Sequence, residues 1–456
     1  MAWTPAVWAP AAGAQQAMPA TTLAVSPNQP AEPADGLHLS GSMRIRYELV
    51  DGQARAGFNS SDDLASLRTA IKAVWRNGAI QIVAELNDSR GWGADPGTPL
   101  TTSEINTFEP VQAYIQGDLG DVLGRGTRSS LQAGRFTMAL GSRRLVANDE
   151  YRNATSGFTG LRGDVSAPGG YKAIAFYVLP QLRLPDDGPS LRSNAAALDK
   201  ESFAAVLWGG YFSRQRKGSP ILAEASFLHF GERDRPGRPT RDRSLNNLGL
   251  RLVSDPRSGQ FEWGLEGIYQ WGRISASLGS GAGTLAVSAN FLRLHAGYSF
   301  PGPWKPRLLL EVDRASGDGS GPGYGRFDTL FGMRRADLAP AGIYGAITRT
   351  NLLSPGARLE MAPSKRFDVF VGYRALLLAD SRDAFSNTGV RDASGNSGSF
   401  AGHQFDLRLR YWLVPNTLRA EFDGVFLAKG RFLNNAPNAP MSGNMRYASF
   451  NLTATF

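Results

Sequence analysis

The chain's last stretch, Tyr447-Ala-Ser-Phe-Asn-Leu-Thr-Ala-Thr-Phe456, alternates apolar and polar residues and stops on an aromatic ring. Ala448, Phe450, Leu452, Ala454 and Phe456 fall on one side of such a strand, and Ser449, Asn451, Thr453 and Thr455 on the other, because strand side chains point to alternate faces. A soluble sandwich would accept this segment equally well. Recurrence is what constrains the fold. The same separation of faces returns along nearly the whole chain, which is the pattern of an antiparallel transmembrane β-barrel with lipid outside and water inside.

At the other end, Leu37, Leu39, Gly41, Met43, Ile45, Tyr47 and Leu49 alternate with His38, Ser40, Ser42, Arg44, Arg46 and Glu48. A helix would spread those charges around its circumference, whereas a strand collects them on one face. Comparable segments lie near 64–76, 79–88, 111–119, 130–139, 157–164, 171–179, 202–213 and 221–230. Others lie near 245–254, 261–271, 286–300, 306–315, 351–362, 366–376, 402–413, 417–427 and 447–456. The spacing predicts an all-β barrel of about eighteen strands. The alternation falters at 130–139, 157–164 and 202–213, where parity slips or both faces are apolar, as a bulge would cause.

The gaps give an independent test. Long connections near 51–63, 89–110, 140–156, 180–201, 231–244, 272–285, 316–350, 377–401 and 428–446 alternate with mostly tight ones such as Asn77-Gly78, Pro363-Ser364-Lys365 and Pro415-Asn416. An outer-membrane barrel with both termini in the periplasm requires that alternation, with short periplasmic turns and longer outer loops.

Composition excludes other classes. No run approaches the roughly 18 apolar residues of a membrane helix, and mean hydropathy is −0.25. Cysteine is absent, so no disulfide or thiolate metal site exists. The net charge of +9 comes from single basic residues scattered along alternating strands, without the basic helix or tract that would point to nucleic acid. His38, His229, His295 and His403 are too dispersed for a metal site, and no cofactor is expected. His38 and Ser40 share a face with Arg44 and Arg46, which places them in the lumen and away from the lipid-facing position that an outer-membrane lipase needs. The glycine-rich run from Gly319 to Gly325 lacks the Lys-Ser/Thr ending of a phosphate cradle. The pairs Asp62-Asp63 and Asp186-Asp187 read as solvated loop charge before calcium ligands. The chain is not expected to be an enzyme.

Residues 1–36 differ from the rest. Met1 to Ala34 holds no Lys or Arg and one acid, Glu32. The apolar stretch from Trp3 ends in Ala12-Gly13-Ala14, like the latter part of a secretory signal, and a flexible leader follows. The barrel is expected over 37–456.

The stretch Gly134-Arg135-Phe136-Thr137-Met138-Ala139-Leu140-Gly141-Ser142-Arg143-Arg144-Leu145, continuing through Tyr151-Arg152-Asn153 to Phe158-Thr159-Gly160-Leu161-Arg162, resembles the alginate export family of bacterial outer-membrane porins. Phe327-Asp328-Thr329-Leu330-Phe331 is similar to an element of that family's long loop. Two departures bear on cargo more than on fold. Gly332 stands where the family more often has Pro, and Arg152 separates the aromatic Tyr151 from Asn153. The resemblance implies a monomeric outer-membrane barrel that passes an anionic polysaccharide through an arginine-rich constriction, with Arg135 and Arg162 among its pore-lining residues. It also implies that the barrel assembly machinery reads the aromatic end of the last strand.

Strand parity supplies the rest of the candidate pore lining. Arg44, Arg46, Arg68, Lys72, Arg293, Arg358, Arg374, Arg408, Arg410 and Arg419 all fall on inward positions. Inward acids are nearly as numerous, so many of these charges are expected to pair. When the barrel closes, the first two and last three strands become one wall rich in Arg and Lys, facing a wall from Phe261 to Leu376 with more acids than bases. A transverse field across a narrow pore orients and selects charged solutes. The expected function is passive passage of an anionic polysaccharide or related anionic solute. The alternative is a general or nutrient-uptake porin.

Overall fold

Alternation builds eighteen strands in the computed structural model, which describes residues 35–148, 151–279, 281–333, 338, 340 and 342–456. The signal-like segment and nearly all of the leader lie outside the described residues. The strands are β1 (Gly36–Asp51), β2 (Ser61–Asn77), β3 (Ile80–Trp92), β4 (Asn106–Gly120), β5 (Arg128–Phe136), β6 (Phe158–Ala167), β7 (Tyr171–Pro180), β8 (Ala205–Arg214) and β9 (Ile221–Glu232). They continue as β10 (Ser244–Ser254), β11 (Gln260–Ser275), β12 (Thr284–Ser299), β13 (Arg307–Ala315), β14 (Leu352–Ser364), β15 (Phe367–Leu377), β16 (Phe400–Val414), β17 (Leu418–Lys429) and β18 (Met445–Thr455). Each pairs antiparallel with the next, and β18 pairs with β1 from Ser42 opposite Thr455 to Asp51 opposite Arg446. Closure leaves no edge, the condition for a sheet to stand in lipid.

The outward face is the apolar one. Leu37, Leu39, Ile45, Leu250, Phe261, Leu310 and Phe450 are exposed, which in a bilayer means lipid contact. Trp75, Phe261, Trp304 and Phe456 ring the end with short turns, while Tyr47, Trp92, Trp208 and Tyr373 ring the end with long loops. These are the aromatic girdles of a membrane barrel. The turns are tight because their residues accept a left-handed backbone, as Gly78 and Asn416 do between β2 and β3 and between β16 and β17. Two one-turn helices, α1 (Gly188–Arg192) and α2 (Arg431–Asn435), sit in long loops.

The interior differs from the wet tube that alternation predicts. Two long loops, 137–157 and 316–351, fold into the lumen and join there. Val146 bridges Phe331 in parallel fashion. Phe331 N donates to Leu145 O at 2.9 Å, Ala147 N to Phe331 O at 3.1 Å and Met333 N to Arg143 O at 3.0 Å. Phe331 packs edge-on against Phe158 and Phe230 of the wall. With Phe136, Phe176, Val178, Leu207, Leu228, Ile343 and Tyr344 these residues form one buried apolar core, each large side chain contributing about 1.5–3 kcal/mol.

Depth therefore decides wetness. Along the inward face of β1, Ser40, Ser42 and Arg44 are half-buried, whereas Arg46, Glu48 and Val50 are no more than 3% exposed. The same gradient runs along β18, from half-buried Thr455 and Thr453 to buried Asn451, Ser449, Tyr447 and Met445. The loop half is filled, and the turn half remains an open vestibule.

Candidate functional site

Register assembles the inward charges into a band at the foot of the loop plug. Arg46 on β1 lies opposite Asn451 on β18, Asn451 opposite Glu421 on β17, Glu421 opposite Arg410 on β16, and Arg410 opposite Asp368 on β15. One step nearer the turns, Arg44 faces Arg68 on β2 and Thr453 on β18, and Thr453 faces Arg419. Lys72 lies farther along the same face of β2, opposite Ser40.

The partners sort these cations into two kinds. Arg44 donates to the Arg152 carbonyl at 2.8 Å and to Asn153 Oδ1 at 3.4 Å. Arg46 donates to Asn451 Oδ1 and the Tyr151 carbonyl, both at 2.5 Å, with its guanidinium 3.8 Å from the Tyr151 ring centre. Tyr151 Oη in turn reaches Tyr447 and Ser449 at 3.1 Å and Asp423 at 3.4 Å. These two arginines pin the inserted loop against the closure seam.

Arg68, Lys72, Arg408, Arg410 and Arg419 are half-buried on the open side. Arg410 holds Asp368 at 2.9 Å, Arg408 reaches the same carboxylate at 3.6 Å, and Arg419 lies 3.7 Å from Glu421.

Farther round, the arginines are sunk in ion-pair networks. Arg293 and Arg374 both bind Glu311 and Asp313, with Arg293 2.7 Å and Arg374 3.0 Å from Asp313. Arg307 bridges Glu262 and Glu360, and Arg358 approaches Glu360 at 3.5 Å. Buried pairs of this kind contribute little net stability while intact, yet losing one partner costs about 3–5 kcal/mol. Arg162 faces inward across the barrel and pairs with Asp164 at 2.6 Å.

Arg135 lies elsewhere. Its register partners Ala113 and Thr159 share the outward face of Ile115, Leu131 and Leu161. At the loop rim it binds Glu109 and, at 2.9 Å, Glu201. Asp199 is buried beside them, accepting from Leu184 N at 2.9 Å and Asn106 Nδ2 at 3.0 Å. Burial pushes its carboxyl up to about 7, and the charge of Glu109 adds to the rise.

Sequence reading missed Arg144, which binds Glu266 from inside the loop, and Asn153, whose amide reaches carbonyls of Leu67, Glu104 and Arg90 at 2.9–3.2 Å. Periodicity carries no information about a loop that folds back. It also passed over Phe370 and Trp412, whose even parity with Arg408 and Arg410 was legible.

A closed barrel with an arginine band beneath inserted loops finds its counterpart in a known family: residues 36–445 match the alginate export family. The chain belongs to that family. Members are outer-membrane channels, and this chain resides in the bacterial outer membrane. Among solved structures, OccD3 (OpdP) of Pseudomonas aeruginosa superposes with a TM-score of 0.57 at 12% identity, covering 93% of this chain and 92% of that one. OccK8 (OprE) of the same organism gives 0.56 at 10% identity, covering 92% and 98%, and OpdQ gives 0.56 at 13%, covering 93% and 99%. At such identities the likeness is one of fold. No curated protein matches the chain by sequence.

Proposed function

We propose that this alginate export family member passes an anionic polysaccharide, or a related small anionic solute, with its short turns in the periplasm and its long loops outside. The carrying observation is the set of half-buried cations, Arg68, Lys72, Arg408, Arg410 and Arg419, that face the open vestibule just below the plug. Guanidinium offers paired donors in a fixed plane, which suits a carboxylate. A low-dielectric wall concentrates the field of such groups in the bore. Arg44 and Arg46 contribute charge and, through Arg152, Asn153 and Tyr151, the position of the loop that narrows the passage. The buried networks at Arg293, Arg358 and Arg374 support the wall. The channel acts as a monomer and enters the membrane through the assembly machinery by way of β18.

Planar-bilayer recordings test the reading. Arg68→Gln, Lys72→Gln and Arg408→Gln together are expected to move the reversal potential under a salt gradient from anion toward cation preference. The shift should be larger at low salt, since screening falls to about 3 Å at 1 M. An unchanged reversal potential in an intact, heat-modifiable barrel would overturn it.

A further inference from the structure

Among the inward cations of the vestibule stand two aromatic rings. Phe370 lies opposite Arg408 across β15 and β16, and Trp412 lies opposite Arg419 across β16 and β17. Both are half-buried on the lumen face. A ring left partly in water forfeits the gain of burying it, and a small ion has no use for one. The guanidiniums of Arg358 and Arg408 each sit 4.6 Å from the Phe370 ring centre, and that of Arg419 sits 5.5 Å from Trp412.

Beside Phe370 is a narrow crevice bounded by Leu338 and Pro340 of the inserted loop and by Arg358, Asp406 and Asp423. Those three charged side chains are more than nine-tenths buried. Along this wall apolar plates thus alternate with the half-buried guanidiniums of Arg408 and Arg419.

A pyranose ring has the complementary surface. Its C–H faces are flat and apolar, and its rim carries hydroxyls and, in a uronate, a carboxylate. The rings supply the plate, and the half-buried guanidiniums of Arg408 and Arg419 receive the carboxylate.

We propose that Phe370 and Trp412 form a saccharide track, so that the channel recognises the sugar ring as well as its charge. Trp412 lies nearest the mouth and takes the first residue, and Phe370 takes one deeper in. This rests on the anionic-saccharide reading above and specifies what that reading leaves open, namely which part of the cargo is read.

The test is block of single-channel current by a uronate tetrasaccharide added on the turn side, compared with a neutral glucose tetrasaccharide. Trp412→Ala and Phe370→Ala are each expected to weaken uronate block by roughly five- to tenfold and to leave the reversal potential in potassium chloride unmoved. Trp412→Leu should match the alanine variant, since it keeps bulk without a π face, while Trp412→Phe should retain most of the block. Residual, Trp412-dependent block by the neutral tetrasaccharide would support ring recognition directly. Equal uronate block in wild type, Trp412→Leu and Phe370→Ala would overturn the track. The cargo reading would survive that result if Arg68→Gln with Lys72→Gln still abolishes block. Absence of uronate block in the wild-type channel would overturn both.

Discussion

Asp199 shows what a single residue can control at the loop rim. Its backbone N–H donates to Glu109 and its side chain accepts from Leu184 N and Asn106, so it ties the 181–204 loop to β4. With its pKa raised from 3.8 to about 7, the docked loop holds a proton that the released loop does not. Its docking is therefore firmest below about pH 4 and weakens as pH rises toward 7, by at most a few kcal/mol. Hydrogen exchange at Leu184, corrected for intrinsic rate, should quicken over that range in wild type and stay level in Asp199→Asn. Parallel profiles in the two proteins would dismiss the effect. At this scale the sequence was partly legible. Parity placed Arg44, Arg46, Arg408 and Arg410 inward correctly from position alone. Arg135 came from a motif and not from parity, and its strand turned that side chain outward.

Among elements, the strands were read most fully, because lipid on one side and polar groups on the other enforce a period of two. The three weak segments now have a common cause. Phe136, Phe158 and Leu207 point inward yet are buried against the inserted loops, so both faces are apolar at the loop end and the contrast vanishes. β5 ends at Phe136, short of 139, because the following residues leave the wall for the lumen. Nothing periodic announces such a loop. Its hold on the wall can be tested through Asn153, whose amide alone reaches three carbonyls. Asn153→Ala removes these bonds, each worth about 0.5–1.5 kcal/mol, and should raise both conductance and the frequency of transitions between conductance levels. Quiet traces at wild-type conductance would show that the loop is held elsewhere.

For the molecule as a whole, the alternation of long and short connections fixes which end is which once one end is located. In the 377–401 connection Ser394 is tied by its hydroxyl to Asp392 at 2.6 Å. Met441 is fully exposed in the last long loop, so it is the better place for a tag. An epitope inserted at Met441 should be stained on intact cells, and one at Asn416 only after the outer membrane is breached. Staining of the Asn416 tag on intact cells would invert the proposed orientation.

Tyr151 carries a consequence for how such a cylinder holds together. It touches Arg46 on the first strand and Tyr447 and Ser449 on the last, so the contact that stoppers the bore also spans the join between the chain's two ends. Both halves of that contact are held together only where the first and last strands meet. Seam and cork thus share one set of side chains, and a change that loosens either one loosens the other.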